Sequence, residues 1–297
     1  MKVSIKLALV GLLVLATISN AASKKKGKKG MTKLTNCGKE LPKENKDYLH
    51  QLIVTNADTN SICGGTWISK DIVVTAGHCV INSKGMKSNP GSITVVTDIR
   101  DSSKGLLGLS FANGKSRSVK DVALPKDFKK ISDTYFSNDV AVIKLNPEFH
   151  LFGNGDKKDK MEGKYASLPE GKDVPTSANE VGYLTPATGL FAKSKSTKLF
   201  ERAITMVDKA ECAKDENMED AKADVESGKT ICGKENCSVE GLCERMTGGG
   251  LICKGDVLCG IQTLHNCDED EEKLPQGYLN VAEYKAWIDE KVGEMNV

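Results

Sequence analysis

The sequence is poor in the residues from which metal sites are built. It has four histidines, at positions 50, 78, 150 and 265, and none of its ten cysteines forms a Cys-x-x-Cys pair. Structural zinc sites draw on closely spaced cysteines and histidines, so this pattern argues against one. We therefore expect no metal and no cofactor.

Long apolar runs are also scarce. The only one is residues 7–18, which follows two lysines and is too short to span a bilayer. Small residues come next, so we predict a secretory signal peptide over residues 1–22, cleaved near Ala21 or Ala22. An uncleaved anchor is the alternative, and the shortness of the run argues against it. With no second run, the mature protein is expected to be secreted, extracellular and without a membrane span.

Aromatic residues make up only 5% of the chain and rarely accompany its charged runs. Base-specific readout is therefore not indicated, and we expect no nucleic-acid partner. The basic run consists of Lys24, Lys25, Lys26, Lys28 and Lys29, and the acidic run covers residues 268–272. The simplest interpretation is a flexible leader over residues 23–36 and a solvated loop. Alternatively, the lysines bind polyanionic glycans of the heparin type.

The even number of cysteines fits export, because an exported chain with ten cysteines is expected to form disulfides. The chain from about residue 49 has many short β-rich runs separated by turn residues, which predicts an all-β barrel or sandwich. These runs lie at 52–54, 61–63, 66–68, 72–75, 93–97, 139–145, 251–253, 257–261 and 278–281.

Two segments look helical, and one looks like a long loop. Residues 206–223 are polar and are expected to form short surface helices or a loop. Residues 281–292 place apolar side chains at helical spacing, which predicts a C-terminal amphipathic helix. Residues 154–179 are rich in turn-forming residues and are predicted to be a surface loop.

The stretch from Cys63 to Cys79 reads CGGTWISKDIVVTAGHC. It strongly resembles the trypsin/chymotrypsin family of serine proteases, which has Cys-Gly-Gly-x-Leu-Ile followed by Val-Leu-Thr-Ala-Ala-His-Cys at the same cysteine spacing. The resemblance makes His78 the general base, with Gly77 in place of an alanine. Asp139, in Asn-Asp-Val-Ala-Val-Ile, follows in the order of the family's Asp-Ile-Ala-Leu strand and would orient the histidine.

The stretch from Cys243 to Cys253 reads CERMTGGGLIC. It matches the spacing of the family's Cys-x-Gly-Asp-Ser-Gly-Gly-Pro-Leu-Val-Cys, which puts Thr247 at the position of the nucleophilic serine. The resemblance implies two six-stranded antiparallel β-barrels with a C-terminal helix, formed by residues 37–297. Residues from about 150 to 200 match the family poorly.

The resemblance also implies a disulfide pattern. The implied pairs are Cys63–Cys79, Cys212–Cys232 and Cys243–Cys267. The usual mid-chain partner of Cys253 is missing, which makes Cys259 a candidate partner across a hairpin. Cys37 and Cys237 are left over; they either pair with each other, or Cys37 is free for an intermolecular bridge.

Several residues that differ from the family's motifs lie at positions that the family uses for catalysis and activation. The methyl group of Thr247 restricts its side-chain torsion and crowds the imidazole. Arg245 replaces the glycine whose backbone N–H would serve the oxyanion hole. Met246 replaces the aspartate that pairs with a newly cut N-terminus, and the chain lacks the family's Ile-Val-Gly-Gly activation site.

The substrate pocket departs as well. The resemblance assigns five positions to it: Gly241, Thr263, Leu264, His265 and Gln276. Gly241 at its base does not imply selectivity for basic residues, and the last two replace glycines that leave space for substrate.

Three functions therefore compete. The first is a secreted, non-catalytic serine protease homologue that binds an extracellular protein such as a protease, an inhibitor or a cascade component. The second is an active endopeptidase with Thr247 as its nucleophile. The third is a glycan-binding protein that uses its lysine-rich leader.

Overall fold

Strands dominate the fold, which confirms the all-β prediction. The computed structural model describes residues 39–41, 48, 50–97, 115–146, 165–184, 198–235, 247–264 and 275–296. The strands are β1 (Lys39–Glu40), β2 (Gln51–Asn56), β3 (Ser61–Ser69), β4 (Ile72–Thr75), β5 (Ile93–Thr97), β6 (Lys115–Ala123), β7 (Lys129–Lys130), β8 (Phe136–Ser137), β9 (Ala141–Leu145), β10 (Ser177–Leu184), β11 (Lys198–Val207), β12 (Thr230–Glu235), β13 (Gly250–Cys253), β14 (Val257–Leu264) and β15 (Gln276–Asn280).

Among the described residues, helices are few and short, apart from the last. The α-helices are α1 (Lys209–Cys212), α2 (Lys222–Ser227) and α3 (Val281–Met295), and 3₁₀ turns cover Gly77–Val80, Pro90–Ser92 and Glu216–Ala221. In the part of the chain that the structure describes, no helix is both long and apolar enough to cross a membrane.

The first barrel closes in the order β2-β3-β4-β9-β6-β5. Every residue of β4 and β9 is buried, because these strands line the interior with one face and are covered by other parts of the chain on the second. Their apolar, β-branched composition suits that double burial.

The second barrel has the order β11-β10-β13-β14-β15-β12 and closes through the pairing of β11 with β12, while β1 adds to its edge at β11. Two six-stranded antiparallel barrels and a C-terminal helix are therefore confirmed. The interior of the second barrel contains a buried ion pair, in which Arg202 Nε donates to Glu180 Oε2 at 2.6 Å. The hydroxyl of Tyr278 donates to the same oxygen at 2.9 Å.

The C-terminal helix α3 packs against β9 of the first barrel and β14 of the second. Asn280 caps it by accepting a hydrogen bond from the N–H of Ala282, and Tyr284 and Ile288 bury one face. At its far end, the buried Lys144 of β9 donates to Asn296 Oδ1 at 2.6 Å.

The sequence-based boundaries needed several corrections. Met206 and Val207 belong to β11, so the predicted helical segment starts later than 206. The predicted loop over 154–179 runs too far, because β10 starts at Ser177. Seven strands were not predicted: β1, β6, β7, β8, β10, β11 and β12. The signal peptide and the lysine-rich leader lie outside the described residues.

Candidate functional site

Strand pairing brings His78 and Asp139 together. β4 and β9 run antiparallel with Thr75 opposite Ala141, so the chain leaving β4 and the chain entering β9 meet at one edge of the barrel. His78 lies in the 3₁₀ turn after β4, and Asp139 lies two residues before the start of β9 at Ala141. Asn138 before it adopts a left-handed conformation with a φ of 54°, which turns the chain at this point.

The carboxylate of Asp139 holds the histidine at two points. One oxygen accepts the backbone N–H of His78 at 2.7 Å, and the other lies 2.6 Å from Nδ1. The carboxylate is 1% exposed, whereas the histidine side chain is 20% exposed. Asp139 therefore fixes both the backbone and the ring of His78.

The pKa of His78 reflects opposing effects. Burial of the imidazole disfavours its charged form and would lower the pKa, but the negative charge of Asp139 and the hydrogen bond to it act the other way. The outcome is a pKa raised above the usual 6.5. The histidine is therefore a stronger base than a free imidazole.

Thr247 completes the arrangement. Its Oγ1 lies 2.9 Å from Nε2 of His78, so the structure brings Thr247, His78 and Asp139 into one chain of hydrogen bonds. In chemical terms the chain has the order hydroxyl, imidazole, carboxylate, which is the arrangement that activates a nucleophile in acyl transfer.

The turn that carries Thr247 is held by backbone contacts on both sides. Gly248 donates to the carbonyl of Gln262 at 2.8 Å, and Gln262 donates to the carbonyl of Gly249 at 3.0 Å. Gly248 has a φ of +78°, and an added Cβ would lie 2.7 Å from the hydroxyl oxygen of Thr75. Only glycine fits there, because both the conformation and the space exclude a side chain.

The structure describes three disulfides, one beside the site and two in the second barrel. Cys63 is bonded to Cys79 beside the histidine turn. Cys212–Cys232 and Cys253–Cys259 are the other two, and the second of these is the hairpin pairing raised as a candidate. Cys243 and Cys267, and also Cys37 and Cys237, lie outside the described residues.

The pocket positions are only partly described. Thr263, Leu264 and Gln276 are each 4% exposed. Leu264 packs in an apolar cluster with Cys212 and Met218, which makes it part of the core. The remaining pocket positions, 241 and 265, and the oxyanion position, 245, lie outside the described residues.

One group of potential metal ligands occurs among the described residues: Cys63, His78 and Cys79. The two sulfur atoms are bonded to each other, so neither is a thiolate that could bind an ion.

Sequence reasoning missed an aromatic contact with the histidine. The ring of Phe136 stacks on the imidazole, with 5.6 Å between the centroids. Phe136 lies only three positions before Asp139, but an isolated phenylalanine there carries no recognisable signal. The available hint was Gly77, the small residue next to the histidine.

Comparisons with known proteins point to one family. A family model described as Trypsin matches residues 36–288. Among curated proteins, the chain is 25% identical over 236 residues to Trypsin Blo t 3 of Blomia tropicalis, with 78% of each chain covered. It is 25% identical over 240 residues to the vitellin-degrading protease of Bombyx mori, covering 79% of this chain and 78% of that protein.

Solved structures show the same fold. The crystal structure of the scabies mite inactivated protease paralogue S-D1 matches with a TM-score of 0.61 and 19% sequence identity, covering 87% of this chain and 97% of that one.

Proposed function

The chain belongs to the trypsin family, and we propose that within it this is a secreted, non-catalytic homologue that acts by binding an extracellular protein. The partner would be an active protease, an inhibitor or another component of an extracellular proteolytic cascade. The observation that carries the proposal is the threonine at position 247, at the end of the hydrogen-bonded chain.

Thr247 differs from serine by a methyl group, which is bonded to the same Cβ as the hydroxyl group. When Oγ1 bonds Nε2 of His78 at 2.9 Å, the methyl group occupies another staggered position on the same Cβ. Any rotation of the hydroxyl toward a substrate carbonyl moves the methyl group with it. Threonine nucleophiles generally act at a chain terminus beside their own amine, whereas Thr247 is internal.

Two neighbouring substitutions support the same conclusion. Arg245 stands where the family has the glycine that donates to the oxyanion, and losing one such donor costs about 10²–10³-fold in rate. Met246 removes the carboxylate that the family uses for activation. The three substitutions, at positions 245, 246 and 247, are consecutive and would all lower the reactivity of the same site.

The resemblance also points to an altered substrate pocket. It puts Gln276 where the family has a glycine that lines the pocket, and Gln276 is buried. A glutamine at that position would take up volume that a substrate side chain needs. The scabies mite neighbour is described as an inactivated protease, so this fold also serves in a protein without that activity.

A second candidate function is proteolysis with Thr247 as nucleophile. It is favoured by the distances of 2.9 Å from Oγ1 to Nε2 and 2.6 Å from Nδ1 to Asp139, which are in the hydrogen-bond range that a nucleophile and its base require. The printed names of the relatives from Blomia tropicalis and Bombyx mori also describe a trypsin and a protease.

A fluorophosphonate probe separates the two functions. We expect no labelling of the secreted wild-type protein under conditions in which trypsin is labelled completely. The matched control is Thr247→Ala, which has no hydroxyl at this position. Labelling of the wild type that disappears in Thr247→Ala would establish the second function and overturn the first.

Partner binding is tested on the same pair of proteins. Proteins captured from the native secretion by the wild type should remain intact, and Thr247→Ala should capture them equally well. Capture that produces cleaved partners only with the wild type would contradict a binding role. Whether the lysines at 24–29 add glycan binding is tested by comparing retention on heparin with and without residues 23–30.

A further inference from the structure

His78 is held in its plane by two hydrogen bonds, but these leave its ring faces unsupported. Nδ1 faces Asp139 and Nε2 faces Thr247. Hydrogen bonds in the ring plane resist sliding of the imidazole and only weakly resist its tilting, because tilting changes their lengths little. A group packed on the ring face is needed to prevent the tilt.

Phe136 packs on that face. Its ring centroid lies 5.6 Å from that of His78 with an angle of 24° between the planes. Phe128 stacks on Phe136 in turn, at 5.6 Å and 9°. Three rings therefore form one stack that ends on the histidine, in the offset range that aromatic pairs prefer.

The segment that carries Phe136 is anchored on both sides. The buried Tyr135 donates its hydroxyl proton to Asp224 at 2.6 Å. Asn138 accepts from Lys229 and from the hydroxyl of Tyr284, each at 2.8 Å. Phe136 thus lies between two residues that are bonded to other elements, which makes its ring a fixed support for the imidazole.

Gly77 is the residue that makes room for the stack. A Cβ added there would lie 2.8 Å from the ring of Phe128 and 3.1 Å from Asp139 Oδ1. Phe128 therefore occupies the space that the alanine of the family's motif would need. The position of the Phe128 ring therefore depends on having glycine, and not alanine, at position 77.

We propose that Phe136, supported by Phe128, is a positioning residue for His78. The absence of a side chain at Gly77 leaves the room that the ring of Phe128 needs. The stack holds the imidazole with one nitrogen toward Asp139 and the other toward Thr247. This inference goes beyond the proposed function, because the stack would orient the histidine whether or not Thr247 reacts.

The experiment follows the proton between His78 Nδ1 and Asp139 by NMR in protein labelled with ¹⁵N-histidine, with His78→Gln to assign the signal. In Phe136→Leu, which keeps apolar bulk and loses the flat ring, exchange of this proton with water should become faster by about tenfold, the equivalent of about 1.4 kcal/mol. Phe136→Tyr keeps the ring and should stay within about twofold of the wild type.

The matched control is Phe200→Leu, which removes a buried aromatic ring from the second barrel. It should lower the thermal midpoint without changing the exchange of the His78 proton. If Phe136→Leu lowers the midpoint in the same way and leaves the exchange rate unchanged, Phe136 is only a packing residue and the proposal is wrong.

A second variant covers the case in which Phe136→Leu does not fold. Gly77→Ala introduces the residue of the family's motif, whose Cβ would crowd both the ring of Phe128 at 2.8 Å and Asp139 Oδ1 at 3.1 Å. Displacing Phe128 from Phe136 and crowding Asp139 should both loosen the hold on His78, giving exchange rates between those of Phe136→Leu and the wild type. An unchanged rate in Gly77→Ala would overturn the proposal independently. Because the readout is a histidine proton, none of these outcomes depends on whether the protein cleaves peptides.

Discussion

The backbone N–H of Gly64 in the first barrel donates a hydrogen bond of 2.8 Å to the carbonyl oxygen of Thr247 in the turn before β13. The contact is close, because a Cβ added at Gly64 would lie 2.6 Å from the Cα of Gly249. The two barrels thus meet backbone to backbone at the residue that carries the hydroxyl.

The first prediction concerns the turn after Thr247. Gly248→Ala should lower the free energy of unfolding much more than Gly85→Ala, although both glycines have positive φ angles, of 78° and 74°. Both variants incur the left-handed backbone cost of about 1–2 kcal/mol. Only Gly248 is crowded, with the carbonyl oxygen of Gly64 at 2.7 Å from the added Cβ, which adds about 1–3 kcal/mol. Urea unfolding of the two variants measures the difference, and equal losses would refute the crowding argument.

The second prediction concerns the pKa of His78. Asp139→Asn removes the charge that raises this pKa and leaves the burial that lowers it, so the value should fall below 6.5. Titration of the histidine C–H signals by NMR gives the value directly. A pKa that stays above 6.5 in the variant would show that Asp139 is not the cause of the shift.

The same pair makes stability depend on pH. The folded-state pKa of His78 is raised above its unfolded value, so the ion pair's contribution is fully present below about pH 6.5 and is lost as the pH rises through the raised pKa. His78→Gln should therefore be destabilised relative to the wild type more at about pH 5.5 than at about pH 9. Urea midpoints at both pH values provide the test, and a larger difference at the higher pH would contradict it.

The third prediction concerns the buried pair of Glu180 and Arg202. Arg202→Met leaves the carboxylate inside the second barrel without its cation and should cost about 3–5 kcal/mol. The matched variant combines Arg202→Met with Glu180→Leu and Tyr278→Phe, so that neither the carboxylate nor the hydroxyl donor remains. The free energy of unfolding of this combined variant should be close to that of the wild type or higher. A combined variant as unstable as Arg202→Met alone would show that packing dominates the loss.

The fourth prediction concerns which substitution limits reactivity. Thr247→Ser alone should react slowly with a fluorophosphonate, because Arg245 still occupies the oxyanion position. Adding Arg245→Gly should raise the labelling rate by about 10²–10³-fold over Thr247→Ser. The control adds His78→Gln to the double variant and should abolish labelling. Rapid labelling of Thr247→Ser by itself would show that the methyl group is the main obstacle.

Much of the fold could be predicted from local sequence. The apolar runs of β4 and β9 are evident because both strands are buried on two faces and so carry few polar residues. β6 was missed because six of its nine residues are polar and only Val119 and Val122 are deeply buried. Its strand conformation depends on pairing with β5 and β9, which no local pattern reports.

The candidate site shows the same division. The motifs around His78, Asp139 and Thr247 could be recognised because their spacing leaves the alignment little freedom. The distance of 2.9 Å between Oγ1 and Nε2 could not be foreseen, because a methyl group suggested crowding and only the surrounding packing decides how the side chain is placed.

The sequence by itself determined the family, the order of the three site residues and the strands with continuous apolar runs, since these depend on residue type and spacing along the chain. Only the tertiary structure decided that Phe128 fills the space beside Gly77, that Phe136 stacks on His78 and that Glu180 and Arg202 meet inside a barrel. These contacts join residues that strand register and barrel closure bring together from separate segments, so their physical cause is not contained in any one stretch of the chain.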